Sequence, residues 1–163
     1  MIRLICLMLI LAGGMSTPAD AQTRPDNREI GRIVLEEVLG RGRIADFEHL
    51  YAPDFVAHGA GGRTATRAED RAATIGWRQA FPDMEVRAER IVADGELVAV
   101  HFRARGTNSG SGGGMPATGV RVEAGGITIF RITDGRIREE WTYTNFNDVY
   151  RAALAAQAGV AGR

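Results

Sequence analysis

The chain has 163 residues, of which 45% are hydrophobic and 25% are charged, a composition typical of one compact globular domain. Twenty basic residues balance twenty acidic ones, and the sequence pI is about 6.8. Because there is no basic excess, we expect neither a nucleic acid nor an anionic membrane surface as a partner.

The first 21 residues have the pattern of a secretory signal peptide. Arg3 supplies a positive charge, residues 4–12 form an apolar run, and Ala-Asp-Ala at 19–21 is a small-x-small cleavage signal. The mature chain is therefore predicted to start near Gln22, to be periplasmic or secreted, and to have no membrane-spanning segment. Cys6 is the only cysteine and lies in this leader, so the exported protein would contain neither a disulfide nor a cysteine-based metal site.

Three helices are predicted before the first long strand. After a polar arm at residues 22–28, apolar residues at helical spacing predict a helix that ends near Gly40, and residues 44–51 predict a second, short helix. Thr66 and Glu69 form a capping box that opens the third helix. The apolar side of this third helix is predicted to carry Ala68, Ala72 and Ile75, with Trp77 on a neighbouring flank.

From residue 84 onward the apolar residues alternate along the chain instead of following a helical period. This alternation predicts four strands joined mostly by tight turns, at residues 85–92, 97–106, 120–132 and 137–146. A short terminal helix and a flexible tail at residues 157–163 complete the order. Helices followed by strands predict an α+β domain over residues 29–156, in which a curved antiparallel sheet wraps around the N-terminal helices as a cone-shaped barrel.

The last predicted strand carries the most distinctive side chains. Because residues two apart share one face of a strand, one face would present Ile137, Glu139, Trp141, Tyr143 and Asn145. Aromatic rings beside an amide are typical of the wall of a small-molecule pocket. They are also typical of a half-buried strand whose polar tips find ordinary hydrogen-bond partners.

The second half of the chain combines four motifs. They are Gly-Thr-Asn-Ser-Gly at 106–110, Gly-Met-Pro-Ala-Thr-Gly at 114–119, Ile-Thr-Ile-Phe-Arg-Ile at 127–132, and Trp141. Together they resemble the SnoaL-like polyketide cyclase (ester cyclase) family of the nuclear-transport-factor-2-like superfamily. The resemblance covers roughly residues 29–154.

This resemblance implies a cystatin-like cone and an aldol-type ring closure without a metal or cofactor. In such a reaction an acidic side chain exchanges a proton with an activated methine. The family's carboxylate falls at Asn145 in this chain, and Asn108 stands where such cyclases usually place a histidine. Because an amide does not exchange a proton at ordinary pH, both positions depart from the family's chemistry.

The two departures leave three hypotheses open. In the favoured one the protein is a cyclase or isomerase that acts by general acid/base chemistry, with Asn145 at the catalytic position and His58, Asp83 or Asp148 supplying the proton transfer. In the second it is a non-catalytic binding module, whose ligand-binding candidates are Trp77, Phe81, Asn108, Phe130, Trp141 and Tyr143. In the third it is an epoxide or ester hydrolase that activates water with Glu139, the acidic residue on the Trp141 face.

Each candidate residue also has an ordinary structural explanation. His58 fits a surface loop, Asp83 a turn, Asp148 a helix cap, Glu139 a solvated strand, and the aromatic residues core packing. No metal site is predicted, because the three histidines lie on different elements at spacings that support no ligand set. We expect no cofactor, a small hydrophobic or polycyclic ligand, and a homodimer formed through the open face of the sheet.

Overall fold

The computed structural model describes residues 26–161. The predicted leader, the start of the predicted arm and the last two residues lie outside this range. Within it, four helices accompany one open six-stranded sheet, which confirms the predicted α+β class. None of the helices in the described part of the chain is long and apolar enough to cross a membrane.

Local capping explains where two of the helices begin. The Asp26 carboxylate accepts a hydrogen bond of 2.8 Å from the amide of Glu29 and starts α1 (Asn27–Ile33), which continues as π-helical turns over Val34–Gly40. The predicted capping box of Thr66 and Glu69 starts α3 (Arg67–Ala80). The other two helices are α2 (Phe47–Leu50), which follows a 3-10 turn at Ile44–Asp46, and α4 (Phe146–Ala161). Helix α4 therefore continues into the segment predicted as a tail.

The sheet is mixed and contains more strands than the sequence pattern predicts. Its strands are β1 (Tyr51–His58), β2 (Thr64–Thr66), β3 (Glu85–Asp94), β4 (Leu97–Thr107), β5 (Arg121–Thr133) and β6 (Arg136–Thr144). Their spatial order is β2-β1-β6-β5-β4-β3, and every neighbouring pair is antiparallel except β1 and β6, which are parallel. The parallel pair brings the first strand against the last one, so that residues far apart in sequence share one wall.

The core lies between the inner face of the sheet and helix α1 with its π-helical continuation. Alternate residues of β4 and β5 point inward and are buried, among them Val98, Val100, Val122, Phe130 and Ile132. From the helical side Ile30, Val34, Leu35 and Val38 cover them. Burying this apolar surface is the main source of stability, at about 25 cal/mol per Å².

Helix α3 turns a different side to the interior from the one predicted. Ala68 and Ala72 are exposed, whereas Asp70 and Trp77 face inward and line cavities. Tryptophan buries much more apolar area than alanine, so its position outweighs that of the two alanines in setting the helix rotation. Gly76 allows the close approach of the next segment, because a Cβ there would lie 2.8 Å from the backbone nitrogen of Gly113.

A β-bulge decides which side of β6 faces the interior. Ile137 pairs with Ile132 and is fully buried, but the next pair along the ladder joins Glu139 to Arg131, so Arg138 is an extra residue. An extra residue reverses the alternation beyond it. Glu140, Thr142 and Thr144 therefore point inward, and Glu139, Trp141 and Tyr143 point outward. The predicted single face from Ile137 to Asn145 is wrong for this reason.

Candidate active site

A cavity with three neighbouring compartments runs between the helices and the inner face of the sheet. The aromatic compartment, of about 140 Å³, is lined by Leu39, Trp77, Phe81, Met84, Phe102 and Phe146 together with inward residues of β4, β5 and β6. The central compartment, of about 210 Å³, shares Leu39, Trp77, Phe102 and Thr142 with it. The polar compartment, of about 390 Å³, is lined by Ala57, His58, Gly59, Arg63, Thr64, Ala65, Asp70, Glu140 and Thr142.

Asp70 and Glu140 lie where the central and polar compartments meet, since both residues line both spaces. Asp70 comes from the first turn of α3, and Glu140 is one of the side chains that the bulge in β6 turns inward. The two carboxyl groups interact across the cavity. We call these two residues the carboxyl pair.

The surroundings of the carboxyl pair favour its protonated forms. Burial raises the pKa of Glu140 to about 8, and the nearby Asp70 carboxylate contributes to the same shift. Burial likewise raises the pKa of Asp70 to about 6. Because the two groups are coupled, the protons leave the pair in two steps rather than from two independent sites. Near neutral pH, one carboxyl of the pair is therefore ionised and the other is protonated.

Hydroxyl groups orient Glu140. The Thr142 hydroxyl lies 2.9 Å from Glu140 Oε1 and 2.8 Å from the hydroxyl of the buried Thr128. On the other side the Tyr51 hydroxyl is 3.5 Å from Glu140 Oε2. Burial raises the pKa of Tyr51 well above its ordinary value, so this hydroxyl keeps its proton and acts as a donor. The Tyr51 ring is itself held by stacking on Phe47, with centroids 3.9 Å apart.

Three of the residues predicted from the sequence form a cluster on the outer face of the sheet. The His58 ring stacks on Trp141 with centroids 4.7 Å apart, and His58 Nε2 lies 3.1 Å from Glu139 Oε2. Arg131 holds the other oxygen of Glu139 at 3.1 Å. Tyr143 is 66% exposed on the same face. The structure thus places Glu139, Trp141 and Tyr143 away from the cavity, and His58 reaches its rim only at the polar compartment.

The two asparagines make structural hydrogen bonds. Asn108 is fully buried: its amide nitrogen donates to the carbonyls of Ala80 and Gly110, and its amide oxygen accepts from the hydroxyls of Thr118 and Tyr150. All four hydrogen-bonding positions of this amide are therefore used within the protein. Asn145 is exposed, and its side-chain oxygen accepts a hydrogen bond of 2.9 Å from the Gly125 amide. Neither amide faces the cavity.

The remaining predicted residues divide between local structure and the cavity. Asp83 accepts a hydrogen bond of 2.7 Å from the Thr107 amide, which holds the pKa of Asp83 below its ordinary value. Asp148 pairs with Arg151 on the surface of α4. Phe130 is completely buried in the core, whereas Trp77 and Phe81 line the aromatic compartment. Within residues 26–161, no three potential metal ligands come together.

The sequence contains one signal that could have revealed Glu140. The two-residue turn at Asp134-Gly135 pairs Ile132 with Ile137, and a regular ladder beyond it would place Arg131 opposite Arg138. Like charges directly opposite each other destabilise a sheet, whereas the bulge replaces this pair by Arg131 and Glu139. No comparable signal marks Asp70, which sits among other charged residues at the start of a helix.

The position of the two tryptophans gives a test of the cavity. We expect Trp77→Ala to weaken the binding of a neutral aromatic probe, methyl 2-naphthoate, by on the order of 2 kcal/mol, because Trp77 lines both the aromatic and central compartments. The matched variant Trp141→Ala should leave the dissociation constant unchanged. Isothermal titration calorimetry of both variants measures the difference. A loss of affinity in Trp141→Ala alone would instead support the sequence-based placement of the ligand.

Comparison with known proteins agrees with the fold and assigns the family. The family model for the SnoaL-like polyketide cyclase matches residues 32–153, more than half of the chain. No curated protein sequence matches the chain at a significant level.

Three solved structures illustrate the similarity. Wild-type IdmH from Streptomyces antibioticus, a proposed polyketide cyclase, is 29% identical with a TM-score of 0.66, covering 83% of this chain and 99% of that one. A SnoaL-like protein from Jannaschia sp. CCS1 has a TM-score of 0.71 at 24% identity and covers 79% of this chain and 92% of its own. An LEH-like epoxide hydrolase from M. tuberculosis shares the fold at 17% identity, with a TM-score of 0.62 and coverages of 83% and 94%. The chain belongs to the SnoaL-like polyketide cyclase family.

Proposed function

We propose that the protein is a cyclase or isomerase that acts on a small polyketide-like molecule by general acid/base catalysis with Asp70 and Glu140. The carboxyl pair at the junction of the compartments carries this proposal, because it places a base and an acid in one partly apolar cavity. Both pKa values lie near neutral pH, where proton transfer in either direction is efficient. The family and the description of IdmH as a proposed polyketide cyclase support the ligand class.

The proposed reaction needs only the side chains of the carboxyl pair. The Asp70 carboxylate removes the proton from an activated carbon of the substrate, and the enolate carbon then bonds to an acceptor carbonyl carbon. The oxygen of that carbonyl takes the proton of Glu140, so the net change within the pair is one proton gained by Asp70 and one lost by Glu140. Transfer of the proton from Asp70 to Glu140 restores the starting state. Thr142 and Tyr51 hold Glu140 in place through these steps.

The pH dependence of the reaction tests the assignment of base and acid. We expect hydrogen–deuterium exchange at the activated carbon of methyl benzoylacetate, followed by NMR, to rise through a pH of about 6 and fall through about 8. The rise reflects ionisation of Asp70, and the fall reflects loss of the proton of Glu140. Asp70→Asn should abolish the exchange catalysed at neutral pH. A bell-shaped profile that survives in Asp70→Asn would exclude Asp70 as the base.

The polar compartment favours a second candidate, the hydrolysis of an epoxide or ester. Exposed Thr64 and Arg63 border this space, so water can reach the carboxyl pair from the side opposite the aromatic compartment. One carboxylate would then activate the water and the other carboxyl would protonate the leaving oxygen. Styrene oxide in ¹⁸O-labelled water separates the candidates, because diol containing the label would support hydrolysis. Binding of methyl 2-naphthoate without exchange or hydrolysis would support a binding module.

We also propose that two copies associate through the outer face of the sheet. This face exposes four large apolar side chains, Val92, Leu97, Ile127 and Tyr143. Several charged residues on this face are paired with each other, as in Arg103 with Glu123 and Arg105 with Glu85, which favours apolar contact as the main interaction for a second copy. Analytical ultracentrifugation should show a dimer that Ile127→Arg dissociates. A monomer at all concentrations would contradict the proposal.

Export of the protein rests on the leader pattern of residues 1–21. We propose that this leader is removed and that the mature protein acts outside the cytoplasm, on a compound taken up or modified there. N-terminal sequencing of the protein from a periplasmic fraction should begin near Gln22. Recovery of the chain from the cytoplasm with Met1 in place would contradict this.

A further inference from the structure

The polar compartment contains a cation that has no partner among residues 26–161. Arg63 lies in the exposed segment between β1 and β2, where its backbone carbonyl accepts a hydrogen bond of 2.8 Å from the amide of Gly59. Among the described residues that line the three compartments, the guanidinium of Arg63 is the cationic group that makes neither an ion pair nor a hydrogen bond. The other arginine that lines them, Arg105, is bound to Glu85 at 2.6 Å.

The nearby acidic groups do not use this cation. Burial is the cause of the raised pKa of Asp70, with no lowering by Arg63, and the raised pKa of Glu140 likewise receives no contribution from Arg63. His58, on the same rim, directs its ring to Glu139 and Trp141 on the outer face. Within the described part of the chain no group occupies the Arg63 guanidinium, so it can bind a group that comes from outside.

The shape of the cavity sets the size of a ligand that reaches both ends. Asp70 and Trp77 are seven residues apart on α3, which corresponds to about 10 Å along the helix axis. A molecule that contacts the aromatic compartment and also reaches past Asp70 toward Arg63 therefore needs about two fused rings and one substituent. The aromatic compartment suits the rings, because Trp77, Phe81 and Phe146 contribute apolar surface to it.

We propose that Arg63 determines specificity for a substrate that carries an anionic substituent, such as a carboxylate, on an apolar ring system. The rings lie in the aromatic compartment, the reacting carbon lies at the carboxyl pair, and the anionic group lies at the polar opening beside Arg63. A planar guanidinium binds a carboxylate through two parallel hydrogen bonds, which also fixes the orientation of the ring system. This inference rests on the proposed function. It adds that the substrate is anionic and that it binds in one orientation along the cavity.

Matched acid and ester probes test this selectivity by calorimetry at low salt. The wild-type protein should bind 2-naphthoate about five-fold more tightly than methyl 2-naphthoate, the preference expected for one partly exposed ion pair. Arg63→Gln should remove this preference by weakening the binding of the acid and leaving that of the ester unchanged. Arg63→Lys should keep part of the preference, because the charge remains. Arg136→Gln, which removes an exposed arginine outside all three compartments, should behave as the wild-type protein does.

Two results would overturn the inference. One is a wild-type protein without a preference for the acid, which includes a protein that binds neither probe. The other is an Arg63→Gln variant that keeps the preference or loses affinity equally for acid and ester. Neither result concerns catalysis, since the role of Asp70 and Glu140 is measured by exchange into methyl benzoylacetate. If Asp70→Asn and Glu140→Gln lose exchange but keep the preference for the acid, catalysis and acid selectivity depend on different residues.

Discussion

Glu140→Gln is expected to slow hydrogen–deuterium exchange into methyl benzoylacetate by about 10²- to 10⁴-fold, the range that a positioned general acid or base contributes. Glutamine keeps the size of the side chain and can still accept a hydrogen bond from Thr142. It removes the proton that the raised pKa of Glu140 retains at neutral pH. The variant therefore measures the contribution of the acidic proton while the shape of the cavity stays the same.

Glu139→Gln is the matched comparison for this experiment. Glu139 is the adjacent residue, has the same chemistry and was the acidic candidate on the face predicted from the sequence, but it points to the outer face and binds His58 and Arg131. If the bulge at Arg138 selects the functional carboxyl, only the Glu140 variant loses the exchange reaction. A large loss in Glu139→Gln with normal exchange in Glu140→Gln would reverse the assignment.

Glu140→Gln also has an expected effect on stability. The carboxyl of Glu140 keeps its proton up to a pH of about 8 in the folded protein, whereas its ordinary value is 4.5. Between these pH values the folded state binds more protons than the unfolded state, so a rise in pH lowers the free energy of unfolding. Glu140→Gln removes this contribution, and its melting temperature should exceed that of the wild-type protein at pH 8.5 but not at pH 4. A lower melting temperature at pH 8.5 would show that the ionised group is better solvated than its burial indicates.

Asn108→Asp is expected to lower the free energy of unfolding by about 3 kcal/mol, because it leaves buried polar groups without partners. The amide nitrogen of Asn108 donates to the Ala80 carbonyl at 3.1 Å and to the Gly110 carbonyl at 3.0 Å. In the variant, a carboxylate oxygen would face both carbonyl oxygens. All of these oxygens are hydrogen-bond acceptors, so no hydrogen bond can form. Urea denaturation followed by circular dichroism measures the loss.

This amide connects three parts of the fold, which explains the size of the expected effect. It joins the end of α3 to the glycine-rich segment after β4, and through Tyr150 it also holds α4 against them. Gly112 lets the same segment lie against α3, since a Cβ there would lie 3.0 Å from the Ala80 nitrogen. The glycines thus serve close packing at this point.

Two comparison variants separate the structural role of Asn108 from a role in binding. Tyr150→Phe removes one of the four hydrogen bonds and should cost about 1 kcal/mol. Asn145→Asp changes an exposed amide that acts as an acceptor, and should cost less than about 0.5 kcal/mol. Normal stability of Asn108→Asp combined with weaker binding of methyl 2-naphthoate would instead support the ligand-binding role predicted from the sequence.

The sequence predicts the family and most of the secondary structure correctly, because these depend on local features. The capping box of Thr66 and Glu69 and the tight turn between the last two strands act within a few residues of chain. Both occur in the structure as predicted, the turn at Asp134-Gly135. The α+β class follows from the change of apolar period near residue 84, and the motifs around Gly106 and Trp141 point to the SnoaL-like family that the family model confirms.

The candidate site is predicted less well, because it depends on register and on contacts between distant residues. If the alternation of β6 is continued through Arg138, every side chain beyond Arg138 is assigned to the wrong face. The sequence pattern therefore predicts Glu139 as the inward carboxyl, whereas Glu140 is the one that faces inward. Asn108 and Asn145 were assigned by their positions in family motifs, but their hydrogen-bond partners are carbonyls and amides from segments that sequence position alone does not identify.

The sequence by itself determined an α+β domain of the SnoaL-like family, since caps, turns and apolar periods are properties of neighbouring residues. Only the tertiary structure decided that Asp70 and Glu140 meet, because they are 70 residues apart and come together through the parallel pairing of β1 with β6 and the rotation of α3. One inserted residue in β6 was enough to change which carboxyl group enters the cavity, because side chains on a strand alternate between its two faces.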